Sequence, residues 1–322
     1  MRQDVAPRTR GPIDVHHHLL SPQMLAKRRG STPFDPRLDE WTPARSIELM
    51  DKNGVRATVV SVSTPGIWFG NADEAARLAR TANEFAAGMA RDYPGRFGFF
   101  AALALPNVDA SLREIEYAFD TLKADGIGLL SSYDGRYLGD PAFAPVFDEM
   151  QRRRTIVHVH PAEPQCCTNV VPNVPMGVAE FGFDTTRAVT NLLYSGTLKR
   201  CPDVRFILSH GGGTVPFLAG RIAQRSAVTA VAADTQGRMA ELKKLYFDTS
   251  SVTNASALAS LLKLVPATQV MFGSDYPNAT ARALVDSLAE LRQLVQSGDI
   301  TNRQLQSIES DTAVALFPRL RG

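Results

Sequence analysis

The feature that most constrains this sequence is a regular alternation of short apolar runs with longer amphipathic segments. Several of the runs are apolar almost throughout, as in residues 204–208, which only Arg205 interrupts. Parallel strands that are buried on both faces have this composition. We therefore predict eight strands, at residues 12–15, 57–61, 97–103, 126–131, 155–160, 204–210, 245–249 and 269–273.

A helical pattern follows each predicted strand. Apolar residues recur at 3.6-residue spacing, and Thr42 and Thr280 are good N-caps. The predicted helices lie at residues 43–53, 72–92, 110–124, 141–153, 184–200, 215–231, 255–264, 281–297 and 303–316. Eight strands that each precede a helix predict an α/β fold, a (β/α)8 TIM barrel, as one domain over residues 11–322.

Composition and charge exclude several other classes of protein. The 322 residues are 44% hydrophobic and 21% charged, as is usual for a soluble globular protein. The net charge is +2 and the basic residues are scattered, so we expect no nucleic-acid partner. No apolar run approaches the roughly 18–20 residues of a membrane span. The low, odd number of cysteines, Cys166, Cys167 and Cys201, predicts a cytoplasmic protein without a disulfide framework.

Two segments lie outside the strand and helix pattern. Residues 1–10 are polar and lack the apolar core of a secretion signal, so we expect a short disordered leader. Residues 21–41 follow the first strand and are rich in Arg and Pro. We predict that this segment is a long loop that covers the functional site.

All six histidines of the chain fall at the C-terminal ends of predicted strands. Three follow the first strand, two lie on the fifth and one ends the sixth. The active sites of barrel enzymes form at this end of the strands. We therefore predict an active site there, built from some of these residues: His16, His17, His18, His158, His160 and His210.

The histidines after the first strand have the spacing of a metal-binding pair. Residues i and i+2 of an extended chain point to the same side, so His16 and His18 both face the barrel axis. Imidazole suits Zn²⁺, Fe²⁺ and similar ions. His17 points the other way, toward the helices, and we interpret it as structural. Asp14 is placed to orient one of the ligands.

Three later residues complete the predicted site. On the fifth strand we choose His160 as the ligand, because it lies nearer the mouth than His158, which we expect to pack in the core. His210 precedes three glycines, which allow a tight turn, and it is either a metal ligand or a general acid or base. Asp275 alone would indicate a turn, but beside the histidines it completes the metal's shell.

Four motifs resemble those of the amidohydrolase-2 family, which includes 2-amino-3-carboxymuconate-6-semialdehyde decarboxylase and gamma-resorcylate decarboxylase. They are Asp14-Val-His16-His-His18, Val159-His160-Pro161, Ser209-His210-Gly-Gly-Gly213 and Gly273-Ser-Asp275-Tyr-Pro277. The resemblance covers the chain from Ile13 onward. The stretches Tyr137-Leu-Gly-Asp-Pro-Ala-Phe143 and Glu180-Phe-Gly-Phe-Asp-Thr-Thr-Arg187 are most similar to the 6-methylsalicylate decarboxylases of that family.

The resemblance implies a role for each residue of the site. One divalent metal ion is expected, Zn²⁺ first and Mn²⁺ as the alternative, with ligands His16, His18, His160 and Asp275. The resemblance also implies a catalytic acid or base at His210 and a homodimer. Arg221 matches an arginine that reaches substrate across the dimer interface, although a helix-surface arginine in a salt bridge is an equal interpretation.

The activity that this implies is non-oxidative decarboxylation of an ortho-hydroxy aromatic acid, such as 6-methylsalicylate. His210 and Asp275 are both placed to supply the proton, and the sequence does not choose between them. Trp41, Trp68 and Phe183 either line an aromatic pocket or pack in the ordinary way. The alternative function is a metal-dependent hydrolase of a small amide or lactone, in which His210 serves as the base for a metal-bound water.

Overall fold

A ring of eight parallel strands forms the centre of the protein. The computed structural model describes residues 10–29, 35–168, 170–224 and 234–321, and its neighbouring strands follow chain order. Asp275 N donates to His16 O, so the last strand returns to the first and the predicted (β/α)8 barrel is confirmed. The strands are β1 (Ile13–His18), β2 (Ala57–Ser61), β3 (Phe97–Ala102), β4 (Gly126–Leu130), β5 (Ile156–His160), β6 (Arg205–Leu208), β7 (Tyr246–Asp248) and β8 (Val270–Met271).

The helices surround the barrel. The two predicted N-caps are confirmed, since Thr42 and Thr280 each accept a backbone N–H three residues on. The helices are α1 (Pro22–Arg29), α2 (Pro43–Asn53), α3 (Ala72–Asp92), α4 (Val108–Glu116), α5 (Ala144–Arg152), α6 (Glu180–Tyr194), α7 (Thr197–Arg200), α8 (Val215–Gln224), α9 (Thr235–Leu242), α10 (Ala255–Leu264), α11 (Ala281–Gln296), α12 (Asn302–Gln306) and α13 (Thr312–Leu316).

Strand β1 is longer than the predicted segment 12–15 and contains the histidines. Its pairing with β2 continues to His18, which lies opposite Ser61. The register shifts between Asp14 and His17. An irregularity of this kind, the β-bulge, places an extra residue in one strand and redirects the side chains beyond it.

The register shift separates an apolar lower half of the barrel from a polar mouth. Below the shift, Ile13 and Val15 are fully buried in one apolar cluster that fills the interior. Phe317 from the chain's end packs into the same cluster. Burying a side chain of that size contributes about 1.5–3 kcal/mol. At the shift and beyond it, His16 and His18 take the inward positions, so their imidazoles lie at the mouth.

Two predicted segments differ in kind from what the structure shows. The predicted helix 184–200 is divided into α6 and α7, because Gly196 takes a φ of 77°, which ends a helix. The predicted loop 21–41 is wrong as a loop, since it contains α1 and a 3₁₀ turn at Pro36–Glu40. Residues 30–34 of that segment lie outside the described residues.

Other boundaries shift by a few residues. The predicted helix 110–124 is α4 followed by a π-helical turn at Tyr117–Thr121. The predicted strand 204–210 ends at Leu208, and a 3₁₀ turn begins at His210. The predicted helix 215–231 is described only as far as the end of α8. The predicted leader lies, apart from its last residue, outside the described part of the chain.

The helices give no sign of a membrane segment. Over the described ranges, no helix combines the length and the apolar character that crossing a bilayer requires. The longest, α3, is amphipathic, and one of its faces packs on β3.

Candidate active site

Two histidines and a carboxylate meet at the mouth of the barrel. The Nε2 atoms of His16 and His18 lie 3.1 Å apart. The carboxylate oxygen Oδ1 of Asp275 lies 2.8 Å from Nε2 of His18 and 3.4 Å from Nε2 of His16. Chain segments more than 250 residues apart therefore converge on one point, as the sequence predicts.

His160 closes the cluster from β5. Its ring centre lies 5.2 Å from that of His16 and 5.0 Å from that of His18. Ligand atoms of His16, His160, His210 and Asp275 all lie within 4.8 Å of one another. This separation is compatible with simultaneous contact to a single ion.

In His16, His18 and His160, the outer ring nitrogen Nδ1 faces an oxygen atom of the protein. Nδ1 of His160 donates to the carbonyl of Pro161 over 2.9 Å. Nδ1 of His18 lies 3.3 Å from the carbonyl of Ser61. Nδ1 of His16 lies 2.9 Å from Oδ2 of Asp248. With a proton on each Nδ1, each Nε2 presents a lone pair to the centre of the cluster.

These lone pairs fit a cation. Nε2 of His160 is buried and has no hydrogen-bond partner among the residues that the structure describes. Two unprotonated ring nitrogens at 3.1 Å repel each other unless a proton or a metal ion lies beside them. Three imidazoles and a carboxylate form a donor set that divalent transition metals accept. The residues therefore fit a divalent metal ion.

The pKa shifts of the histidines in the cluster also indicate a site for a cation. Burial opposes protonation of His16, but the Asp248 and Asp275 carboxylates outweigh it and raise the pKa of His16 to about 10. Burial dominates at the neighbouring histidines, lowering the pKa of His18 to about 4 and that of His160 well below its usual value. The two carboxylates thus attract positive charge to one point.

His210 has the most exposed side chain among the four histidines of the cluster. It follows β6, and its Nε2 lies 3.4 Å from Oδ2 of Asp275. Its side chain retains 13% of its exposure, whereas those of His16 and His18 have none. A group in this position can exchange a proton with a molecule bound at the mouth.

Sequence analysis missed Asp248. This carboxylate ends β7 and is fully buried. Its Oδ2 contacts Nδ1 of His16 and lies 3.2 Å from Nε2 of His158, while its Oδ1 accepts from the backbone N–H groups of His210 and Ser250. The only signal in the sequence is an Asp at the C-terminal end of the predicted strand 245–249, which a turn residue would give equally well.

The neighbours of the predicted ligands also have defined places. His17 points away from the mouth, and its Nε2 lies 2.9 Å from Oγ of Ser46 on α2. His158 is buried and stacks on Phe100, with ring centres 5.2 Å apart. Asp14 does not touch the ring of a predicted ligand; its carboxylate accepts from the backbone N–H of His16 and from the hydroxyl of Ser274.

The predicted substrate-binding residues do not converge in the structure. Trp68 lines a cavity of about 420 Å³ whose wall also includes Ala162, two residues after His160. Trp41 packs in the core instead, and its indole N–H donates to Ser46. Phe183, on α6, is 46% exposed, and Arg221, on α8, is exposed without an ion pair to any described residue.

A histidine–carboxylate cluster at the carboxyl ends of the strands is typical of barrel enzymes that use a divalent metal ion. The model of one such family, described as amidohydrolase, matches residues 13–319. The chain therefore belongs to the amidohydrolase family.

Characterised relatives cover nearly the whole chain. A 6-methylsalicylic acid decarboxylase from Penicillium expansum is 33% identical, over 96% of this chain and 97% of the relative. The decarboxylase yanB from Aspergillus niger is 34% identical, over 96% of this chain and 88% of the relative. This member of the family is accordingly a carboxy-lyase.

Solved structures share the fold. An amidohydrolase II structure has a TM-score of 0.86 at 27% identity and covers 95% of this chain and 99% of its own. The 5-carboxyvanillate decarboxylase of Novosphingobium aromaticivorans, solved with manganese and a nitrobenzoic acid, has a TM-score of 0.82 at 21% identity. It covers 95% of this chain and 96% of its own.

Proposed function

We propose that this protein removes the carboxyl group, as CO₂, from an aromatic acid that has a hydroxyl in the ortho position. The expected substrate is of the 6-methylsalicylate type, and the reaction uses no oxidant. The observation that carries the proposal is the convergence of three imidazoles and a carboxylate at the mouth, in a chain 33% identical to a 6-methylsalicylic acid decarboxylase.

In this proposal the metal ligands are His16, His18, His160 and Asp275. We expect Zn²⁺, with Mn²⁺ as the alternative, because three imidazoles favour zinc and a carboxylate suits either ion. When bound, the ion neutralises the negative charge of the substrate's carboxylate and hydroxyl groups. The buried Nε2 of His160 and the fixed Nδ1 of each histidine support this assignment.

The protein's own task is to move one proton. His210 and Asp275 hold the proton between Nε2 and Oδ2, which lie 3.4 Å apart. The pair delivers it to the ring carbon that carries the carboxylate, which interrupts the aromatic ring. The bond to the carboxylate then breaks, its electrons restore the ring, and CO₂ leaves. Proton transfer by a placed side chain contributes about 10²–10⁴-fold to a rate.

We propose that the wall of the 420 Å³ cavity binds the aromatic ring of the substrate. Trp68 lines the cavity, and Phe183 is exposed on α6. We propose that Arg221 contacts the substrate of a second subunit in a homodimer. This is consistent with its exposure on α8, where it forms no ion pair with a described residue.

Three free cysteines support a cytoplasmic location for the protein.

The test is a screen of hydroxybenzoic acids with the purified protein, first stripped of metal and then given Zn²⁺ or Mn²⁺. We expect CO₂ and the matching phenol from 6-methylsalicylate, and none from the isomer whose hydroxyl is para to the carboxylate. Metal content is measured on the same sample. Ring opening of lactones or amide hydrolysis without CO₂ release would establish the hydrolase alternative instead.

A further inference from the structure

Two sequence motifs, around Tyr137 and around Asp184, meet behind the wall of the cavity. The hydroxyl of Tyr137 donates to Oδ1 of Asp184 over 2.6 Å, and the hydroxyl of Ser131 donates to Oδ2. Asp184 has no exposed surface, although Tyr137 lines the cavity. A buried carboxylate is costly unless its oxygens accept hydrogen bonds, so these donors have to be in place in the folded protein.

The same carboxylate reaches the peptide group that orients His160. The N–H of Ala162 donates to Oγ of Ser131 at 2.7 Å and lies 3.2 Å from Oδ2 of Asp184. The carbonyl of that peptide unit belongs to Pro161, and it accepts from Nδ1 of His160 at 2.9 Å. The backbone N–H of Ser131 also donates to the carbonyl of His160. The two ends of one peptide group are therefore held by a carboxylate and by an imidazole.

We propose that Asp184 is a positioning residue that acts through the Pro161–Ala162 peptide to hold and polarise the His160 imidazole as a metal ligand. The inference rests on the proposed assignment of His160 as a ligand. Hydrogen bonds that share a group strengthen one another, so a negative charge at the peptide N–H makes its carbonyl a better acceptor. Asp248 forms the direct version of this arrangement, because its carboxylate lies 2.9 Å from Nδ1 of His16.

The oxygen of Asp184 that contacts the peptide, Oδ2, is not the oxygen that faces a cation. Arg187 lies 4.0 Å from Oδ1, on the side away from the peptide, and its side chain is 37% exposed. The contacts of Oδ2 are the hydroxyl of Ser131 and the N–H of Ala162. Replacing the carboxylate by an amide keeps its shape, but it removes the charge that faces the peptide.

The experiment measures the Zn²⁺ affinity of metal-free protein by competition with a chromogenic chelator. Asp184→Asn is expected to weaken binding roughly tenfold, the lower end of the range for outer-shell partners, because a peptide intervenes. In Co²⁺-loaded protein, the same variant is expected to shift the visible absorption bands, which report the ligand field.

Two further variants separate positioning from general damage. Glu114→Gln makes the same chemical change at another buried carboxylate, which contacts Asn83 and Arg80 on the outside of the barrel, and is expected to leave affinity and spectrum unchanged. Tyr137→Phe removes only the donor to Oδ1, and is expected to raise KM for the aromatic acid while the affinity for Zn²⁺ is retained.

An unchanged Zn²⁺ affinity and Co²⁺ spectrum in Asp184→Asn overturns the inference. If that variant does not fold, Ser131→Ala takes its place, because it removes the hydroxyl between the carboxylate and the peptide. A wild type that binds metal but releases no CO₂ contradicts the proposed function alone. A wild type that releases CO₂ beside a variant with normal affinity contradicts this inference alone.

Discussion

His210 and Asp275 face each other across the mouth of the barrel, with 3.4 Å between Nε2 and Oδ2. Both have left-handed backbone conformations, with φ of 53° and 61°. Such conformations are uncommon outside glycine and persist only where neighbouring contacts fix them. Oδ1 of Asp248 accepts from the N–H of His210, and the carbonyl of His16 accepts from the N–H of Asp275. The fold thus holds two strand ends in unfavourable conformations to bring this pair together.

Replacing His210 by Asn is expected to lower kcat by about 10²–10⁴-fold, the contribution of a placed acid or base. Metal content is expected to remain at the wild-type level, because His16, His18 and His160 keep their ring positions. Steady-state kinetics and elemental analysis on the same preparation measure both. A variant that retains full turnover would contradict the catalytic role of His210.

Removing the metal is expected to abolish activity and lower the thermal midpoint. A ligand that binds only the folded state stabilises it by about 2.7 kcal/mol at a hundredfold excess over Kd. Differential scanning calorimetry with chelator and then with added Zn²⁺ measures the shift. His160→Ala serves as the control, since loss of a ligand is expected to suppress the response to Zn²⁺. An equal response in both proteins would exclude His160 from the metal site.

Asp248→Asn is expected to weaken metal binding about 10–100-fold, the usual effect of losing a partner of a ligand imidazole. The carboxylate faces Nδ1 of His16 and the backbone of His210, so turnover is expected to fall as well. Chelator competition measures the affinity. Asp286→Asn, on the exposed side of α11, is the matched control and is expected to bind metal normally. Equal affinities in the two variants would contradict the role of Asp248.

Gly213 allows α6 to approach the turn that carries His210. A Cβ at Gly213 would lie 2.0 Å from the carbonyl of Gly182, and its φ is 63°. Gly213→Ala is therefore expected to lower the free energy of unfolding by about 1–3 kcal/mol. Gly220→Ala, in α8 with nothing near its Cβ position, is expected to raise it by about 0.5–1 kcal/mol. Urea unfolding measures both, and equal effects would show that close approach is not the cause.

The stability of the fold depends on pH in part through Glu149. Hydrogen bonds, first from Arg152 and also from Arg153, lower the pKa of Glu149 from 4.5 to about 2. Since the folded pKa lies below the unfolded value, this contribution is present above about pH 4.5 and is lost as the pH falls toward 2. Glu149→Gln is expected to lower the free energy of unfolding, measured with urea, at neutral pH but not near pH 2; the loss is less than about 1 kcal/mol because Arg152 is exposed. An equal loss of unfolding free energy at neutral pH and near pH 2 would contradict this assignment.

The barrel and the convergence of the proposed metal ligands were predictable because their signals are local or follow from the fold. Apolar runs and helical periodicity depend on neighbours along the chain, and they gave the eight strands in order. The i, i+2 spacing placed His16 and His18 on one side. Once a barrel is predicted, His160 and Asp275 lie at the same end of it as that pair, because strand ends converge there.

The register shift, the contacts of Asp248 and the relation of Asp184 to His160 were decided by the tertiary structure. His158 and Asp248 meet across 90 positions of sequence, and Ser131 and Asp184 across 53. In the sequence, an Asp after a strand has the same pattern whether it caps a turn or accepts a hydrogen bond from an imidazole. The sequence therefore determined which groups reach the mouth, and the packing of distant segments decided which groups hold them in place.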